Sequence, residues 1–360
     1  MTDAPLEGEL LSPAPRAPET AVAAPPGAFR RRALAAGQHL LGGGSTVAAV
    51  VPLFALLGML AILFSEALPA IRYNGWGFFS SNAWVPGNTY AGSVRTGGVL
   101  HPLGAHYGAA ALITGTIESS VIALVVGLPI AVGAAILLVE RLPRRLAAGI
   151  GLCLELLAGV PSAVIGLWGV LSFGPWLAHH LYPALSHIPL GIFRGGYNSA
   201  GQGLLAGGLV LAAMIIPIIA ATTRDLLRQV PDVTKEGALA LGMTETEAFF
   251  AVQARWVRVG VIGAAVLGLG RALGETIAIA LVSGSAIQYA GNIFSAMTTI
   301  AATMVSQLDA AQADPSGLEV KALAECALVL LVITLVVNIV ARMLTRRAAR
   351  GAALPVGAGF

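Results

Sequence analysis

The sequence predicts an all-α polytopic membrane protein with six transmembrane helices and both termini in the cytoplasm. Only 11% of the 360 residues are charged, against roughly 25% in soluble domains, and the mean hydropathy is +0.81. Uncharged stretches long enough to cross a bilayer recur along the chain. Most of the 21 lysines and arginines lie in alternate connections between those stretches. A secreted module, a disordered chain and a soluble enzyme are therefore excluded.

Each predicted span is an apolar run of about 20 residues or more, the length that crosses the hydrocarbon core as a helix. The third span contains Glu155, which we expect to pair with a polar group on a neighbouring helix. It also contains Pro161, which breaks the helical hydrogen-bond pattern. In chain order the predicted spans are 47–71, the run between Glu118 and Glu140, 147–173, 195–223, 259–283 and 322–344.

The arginines fix the orientation of these spans. They concentrate before the first span, between spans two and three, between spans four and five, and after span six. The positive-inside rule places those segments in the cytoplasm. A seventh uncharged run, 285–308, would put the arginines of the C-terminal tail outside if it crossed the membrane. We therefore predict that 285–308 is an outer-surface or re-entrant segment buried against protein.

The chain lacks the motifs of an energy-converting enzyme. Neither Lys235 nor Lys321 stands in the GK[ST] sequence of a phosphate-binding loop, so we expect no ATP hydrolysis and no cofactor in this polypeptide. A GxSxG nucleophile elbow and an HExxH zinc motif are absent too. His179 and His180 are adjacent, but no cysteine or carboxylate of suitable spacing accompanies them, which favours loop side chains over a metal site.

The cytoplasmic loop between spans four and five contains a short helix of small residues. Asp232 or Thr234 suits its N-cap, the helix runs from Glu236, and Gly242 suits its end. A second short helix follows from Thr244. Small side chains allow such a helix to enter a groove on another protein, and its first carboxylate can meet a basic patch there.

Glu236, Ala238 and Gly242 stand in the register of the EAA motif and resemble the coupling loop of ABC importer permeases. The resemblance implies that residues 231–258, here called the coupling loop, dock into a nucleotide-binding subunit. Two departures are that Gly237 replaces the first alanine and that no proline follows, since 253–255 reads Gln-Ala-Arg. The implied coupling residues are Glu236, Gly237, Ala238 and Gly242.

Span five carries two charges, Arg271 and Glu275, four residues apart and hence on one face of a continuous helix. Charges at this depth are costly and normally face protein interior or a water-filled path. One interpretation is an internal ion pair that only holds helices together. The other is an anion path, in which Arg271 attracts the anion and Glu275 accepts a hydrogen bond from a protonated oxyanion.

Three segments resemble the permeases of phosphate-specific ABC importers: GRALGET at 270–276, LAGVPSAVIGLWG at 157–169 and PIIAATTRDLLRQVPDVTKEGALALG at 217–242. FFSSNAWVPG at 78–87 is closer to the PstC type than to its PstA partner. The resemblance covers roughly 70–355 and implies a type I ABC importer permease fold in a bacterial inner membrane.

The same resemblance implies the function and partners. The chain would form a phosphate path with a PstA-like permease, driven by a PstB-like ATPase dimer and supplied by a PstS-like external phosphate-binding protein. Membrane lipid surrounds such a subunit, and we expect no nucleic-acid partner. The substrate-path residues would be Arg271, Glu275, Thr276 and Ser162.

The expected organisation has four parts: a disordered cytoplasmic tail at 1–32, the first span and outer loop at 33–111, the permease core at 112–345 and a second tail at 346–360. Two rival functions stay open at this stage. One is a permease for another oxyanion, such as molybdate or sulfate. The other is a secondary transporter driven by protons through Glu275. An intramembrane enzyme lacks a supporting set of residues.

Overall fold

The computed structural model describes residues 28–287 and 291–350, which are mostly helical. The chain divides into two units, residues 1–59 and residues 60–360, and every side chain of the candidate site lies in the second. The tails predicted at 1–32 and 346–360 lie largely outside the described residues.

The helices share the apolar composition of the predicted spans, apart from short connecting pieces. In chain order they are α1 Ala28–Asn74, α2 Gly77–Ser80, α3 Ala110–Ile136, α4 Arg144–Ala158, α5 Ser162–Trp168, α6 Gly174–Trp176, α7 Tyr182–Ser186, α8 Leu204–Arg228, α9 Asp232–Ala240, α10 Glu245–Ala248, α11 Ala254–Leu273, α12 Ile277–Val282, α13 Ile300–Gln312 and α14 Leu318–Arg350. Four π-helical turns adjoin these helices, at Leu137–Arg141, Gly169–Phe173, Leu177–Leu181 and Phe249–Gln253. A 3₁₀ turn lies at Gly191–Phe193.

Five segments of the described chain are long and apolar enough to cross a membrane. They are Val50–Asn74, Ala110–Arg141, Leu204–Arg228, Glu245–Leu273 and Leu318–Arg347. The bent pair Arg144–Ala158 and Ser162–Ser186 makes a sixth when counted as one span, and on that count the prediction of six spans is confirmed.

The uncharged run at 285–308 does not form a spanning helix in the described residues. Its helical part, α13, has 13 residues, fewer than the about 20 that cross a bilayer. The Ile300 backbone N–H donates to Thr116 Oγ1 of α3 at 3.0 Å, and Thr299 caps the helix by accepting from Ala302 N–H at 3.2 Å. One hydrogen bond thus joins the segment to α3, as expected for irregular backbone buried against protein at a membrane.

The outer loop differs from the all-helical expectation by containing four short strands. Strand β2, Asn88–Thr96, pairs antiparallel with β3, Val99–Leu103, and β1, Trp84–Val85, pairs with β4, His106–Tyr107. The β2–β3 turn is Gly97-Gly98, with φ of +60° and +86°. Two glycines at positive φ favour a two-residue hairpin turn, so this strand pair has a local sequence cause.

Buried polar groups fasten this loop to the last helix. The Trp84 indole N–H donates to Glu319 of α14 at 3.2 Å, and Asp314 accepts backbone N–H bonds from Ser316, Leu318 and Glu319 at the start of α14. Burial raises the pKa of the Tyr107 hydroxyl, and the nearby acids add to the shift. The loop therefore holds a fixed place over the outer end of α14.

The centre of the second unit is α8, which packs along α3 through small residues. A Cβ on Gly208 would lie 2.5 Å from Ile122 Cγ2, and one on Gly127 would lie 3.1 Å from Ile215 Cγ1. Glycines at these contacts bring the helix axes close together, which is how helices associate when lipid removes much of the hydrophobic driving force. Helices α3 and α8 therefore form the closely packed centre of this unit.

Candidate functional site

The third span, predicted over 147–173 with an interruption at Pro161, is broken there into two helices. Helix α4 ends at Ala158, Pro161 precedes α5, and the direction of α4 differs by 96° from that of the segment Ser162–Ser186. Proline cannot donate the backbone hydrogen bond that would continue α4, and Gly159 lowers the cost of leaving the helix. Ser162 is half-buried at the first position of α5, and its hydroxyl makes no hydrogen bond within the described residues.

The fifth span also breaks, which corrects the prediction of one helix over 259–283. Helix α11 ends at Leu273, Gly274 follows, and α12 starts at Ile277. The Glu275 carboxylate accepts a hydrogen bond from the Ala278 N–H at 3.4 Å, so it caps the next helix instead of continuing α11. Arg271 and Glu275 therefore do not share one helix face.

The two breaks lie at the same end of a closely packed helix pair. A Cβ on Gly166 would lie 2.7 Å from Ala278 Cα, and one on Gly169 would lie 2.7 Å from Val282 Cγ2. Residue numbers rise together along this contact, so α5 and α12 run in the same direction. The structure consequently brings the starts of both helices together.

That arrangement places three of the four predicted path residues in one region. Ser162 lies one turn before Gly166, and Glu275 and Thr276 lie within one turn before Ala278. Glu275 and Thr276 are half-buried, as Ser162 is. The region therefore offers two hydroxyls and a carboxylate where two spans are interrupted.

Arg271, the fourth predicted residue, is exposed on α11 and lines a cleft of about 580 Å³. Asn338 and Arg342 of α14 line the same cleft, together with apolar side chains. Arg271 forms no ion pair within the described chain, so the internal pair with Glu275 considered from the sequence is wrong. A cleft with two guanidinium groups and one amide attracts an anion.

Sequence reasoning missed Arg342 as a cleft residue. The sequence groups it with the cytoplasmic arginines that follow the sixth span, because it opens a run of arginines after an apolar stretch. The available signal was Asn338, a polar residue within the apolar part of α14 and four positions earlier, hence on the same helix face.

Glu155, which the sequence predicts to pair with a polar group on a neighbouring helix, forms an ion pair with Arg224 of α8. The Arg224 Nη2 lies 2.9 Å from Glu155 Oε1, and the same guanidinium contacts Asp225 at 3.0 Å. Gly151 leaves room for that guanidinium, since a Cβ there would lie 2.5 Å from Arg224 Nη1. This pair ties α4 to the end of α8 and confirms the predicted pairing.

The coupling loop begins with α9, which starts at Asp232, four residues before the predicted Glu236. Pro231 before the helix and the carboxylate of Asp232 in its first turn both favour that earlier start. Gly242 follows the helix with φ of +87°, as the sequence predicts. Thr244 and Glu247 then form a capping box that starts α10.

Most of α9 is open to solvent. Glu236 and Gly237 are exposed, whereas Ala238 packs inward with 6% exposure. Val233 and Leu241 expose 77% and 82% of their surface. The short helix on the basic side of the chain therefore presents exposed apolar side chains that a partner protein could cover.

Gly242 and Gly237 form a matched pair for testing the end of α9. A Cβ at either position meets open space, but only Gly242 has positive φ. We expect Gly242→Ala to destabilise the helix end by roughly 1–2 kcal/mol and Gly237→Ala to stabilise α9 by about 1 kcal/mol. Hydrogen exchange of the α9 amides should become faster in the first variant and slower in the second. Equal exchange in both variants would contradict the assigned backbone conformation.

Comparisons with known proteins agree with this architecture. The profile of the family described as "Binding-protein-dependent transport system inner membrane component" matches residues 123–350. "Phosphate transport system permease protein PstC 1" of Mycobacterium tuberculosis is 53% identical over 325 residues, 89% of this chain and 95% of that protein. The PstC protein of Pasteurella multocida is 37% identical over 290 residues, 79% of this chain and 87% of that protein.

Among solved structures, an inward-facing MetNI methionine ABC transporter chain matches 65% of this chain and 91% of its own length, with 14% identity and a TM-score of 0.46. The family profile spans more than half of the chain, and the PstC relatives align with most of it. The chain therefore belongs to the binding-protein-dependent transport system inner membrane components, and within them to the PstC permeases, as a multi-pass inner-membrane protein.

Proposed function

We propose that the chain is the permease subunit of an ATP-driven phosphate importer and forms the phosphate path by alternating access with a PstA-like second permease. The observation that carries this proposal is Arg271, an exposed cation on a spanning helix that has no ion pair in the described chain and shares its cleft with Arg342. A charge at such a position is costly unless an anion or a partner subunit meets it.

Each path residue has a role in this proposal. Arg271 supplies the attractive charge for the anion. Glu275 accepts a hydrogen bond from the protonated oxygen of monobasic phosphate and repels a fully ionised oxyanion. The hydroxyls of Ser162 and Thr276, at the same end of the α5–α12 pair, donate to phosphate oxygens as it passes. The broken helices supply the irregular backbone that lines substrate sites in transporters.

The energy enters through the coupling loop. A PstB-like ATPase dimer binds the exposed surface of α9, with Glu236 meeting a basic patch and Val233 and Leu241 filling an apolar groove. ATP binding closes the ATPase pair, α9 transmits that movement, and the path opens outward to accept phosphate from a PstS-like binding protein. Hydrolysis returns the path to its inward-facing state. The EAA register of Glu236, Ala238 and Gly242 supports this role.

Competition by oxyanions tests the substrate. Cells without other phosphate importers would express the two permeases, the ATPase and the binding protein, and take up radiolabelled phosphate. We expect excess unlabelled phosphate to abolish this uptake, and equal concentrations of sulfate or molybdate to leave it unchanged. Uptake of labelled molybdate or sulfate in place of phosphate would assign the permease to another oxyanion.

A further inference from the structure

Glu140 occupies a junction that the proposed function does not yet use. It lies in the π turn Leu137–Arg141, which continues α3 at its cytoplasmic end. Its side chain is only 14% exposed. The sequence alone predicts no role for Glu140, which only ends the uncharged run of the second span. A carboxylate this far buried requires partners, and its two partners lie on two different elements.

The two oxygens of Glu140 contact two separate segments of the coupling loop. Oε2 pairs with Lys235 Nζ on α9. Oε1 accepts a hydrogen bond from Gln253 Nε2 at 2.7 Å, in the π turn that leads into α11. One carboxylate thus connects the end of α3, the coupling helix and the start of the helix that carries Arg271.

This contact is one of the few places where α9 meets the rest of the chain. All but two of its nine residues are exposed; the exceptions are half-buried Lys235 and buried Ala238. Beside the pair lies a polar cleft of about 510 Å³, lined in part by Arg144, Arg228 and Asp232. The cleft leaves space into which α9 can move. The contact between Lys235 and Glu140 then determines which part of the chain moves with α9.

We propose that Glu140 is the positioning residue that transmits movement of α9 to spans two and five. This inference rests on the proposed function of the coupling loop. When the ATPase displaces α9, Lys235 moves the Glu140 carboxylate and with it the π turn at the end of α3. The bond from Gln253 carries the same displacement into α11. Both membrane elements then respond to one movement of the coupling helix.

The first test compares Glu140→Gln with Asp309→Asn, which removes an exposed carboxylate of α13. The measurement is the amount of phosphate imported per ATP hydrolysed by the complete complex in proteoliposomes. We expect normal assembly of both variants, an unchanged ratio for Asp309→Asn, and a ratio lowered by about fivefold for Glu140→Gln. A ratio equal to wild type in an assembled Glu140→Gln complex would overturn the proposal.

Exchanging the charges of Glu140 and Lys235 distinguishes a role in transmitting movement from a role in stabilising the fold alone. Glu140→Lys places two cations together and should uncouple the complex. Adding Lys235→Glu restores an opposite-charge pair, and the buried Gln253 Oε1, which has no hydrogen-bond partner in the described chain, can accept from the new lysine. We expect the double variant to recover most of the import ratio. Recovery of assembly without recovery of the ratio would contradict a role in transmission.

The proposed function and this inference fail in different ways. If wild-type complexes hydrolyse ATP and import no phosphate, the proposed function is wrong. If wild type imports phosphate and Glu140→Gln keeps the wild-type ratio, only the role of Glu140 is wrong.

Discussion

Arg271→Gln is expected to lower ATP-driven phosphate uptake by at least about tenfold, since a hydrogen bond to a charged group contributes about 1.5–3 kcal/mol. The glutamine keeps a polar side chain but removes the positive charge that attracts the anion. Arg271 is exposed and has no ion pair in the described chain, so its replacement breaks no contact that holds this subunit together. Assembly with the other subunits should be retained, as judged by co-purification.

The matched control is Arg347→Gln, which neutralises an exposed arginine of α14 outside the Arg271 cleft. This control should transport phosphate at the wild-type rate. Initial rates of radiolabelled phosphate uptake, at several phosphate concentrations, measure both variants. Normal uptake by Arg271→Gln would remove Arg271 from the phosphate path.

Leu241→Asp is expected to weaken ATPase binding by at least about tenfold, because burying a leucine side chain contributes about 1.5–3 kcal/mol at an interface and a buried carboxylate opposes association. Leu241 follows α9 and is 82% exposed, so the substitution costs the isolated subunit little. The ATP hydrolysis that depends on the permease pair should fall in parallel.

The test measures how tightly the purified permease pair, with or without Leu241→Asp, binds the ATPase in detergent. Tyr90→Asp serves as control, since Tyr90 is 99% exposed on the outer hairpin and far along the chain from the coupling loop. It should bind the ATPase as wild type does. An unchanged affinity for Leu241→Asp would show that the ATPase docks elsewhere.

The spans and the helices of the coupling loop were predictable because each depends on residues within its own stretch of sequence. Apolar length predicted the spans, and Gly242 predicted the end of α9, which the positive φ confirms. The capping box at Thr244 agrees with the second predicted helix. Gly97-Gly98 is an equally local signal for a hairpin, although the apolar composition of the chain predicts helices alone.

The break in the third span was predicted from Pro161, whereas the break in the fifth span was not, because it depends on a contact distant in sequence. Pro161 and Gly274 both weaken a helix, but glycine and proline are also tolerated inside spans. What favours interruption here is the packing of α5 on α12 through Gly166 and Ala278, which no single stretch of sequence encodes. For this reason Glu275, proposed as a path residue, was wrongly placed on a continuous helix with Arg271.

The partners of the paired charges were likewise not predictable from the sequence. Glu155 was expected to pair, but Arg224 lies 69 residues away and had been assigned to a loop. Glu140 contacts Lys235 and Gln253, at sequence separations of 95 and 113. Only the folded arrangement of α3, α8 and the coupling loop determines which charges meet.

ATP hydrolysis by a partner subunit is expected to drive phosphate through this permease. The most direct test is radiolabelled phosphate uptake by proteoliposomes that contain the permease pair and the ATPase, with ATP inside and the phosphate-binding protein outside. Uptake that requires both ATP and the binding protein is the predicted result. Uptake that ignores ATP and follows an imposed proton gradient would contradict the account and assign Glu275 as a proton carrier.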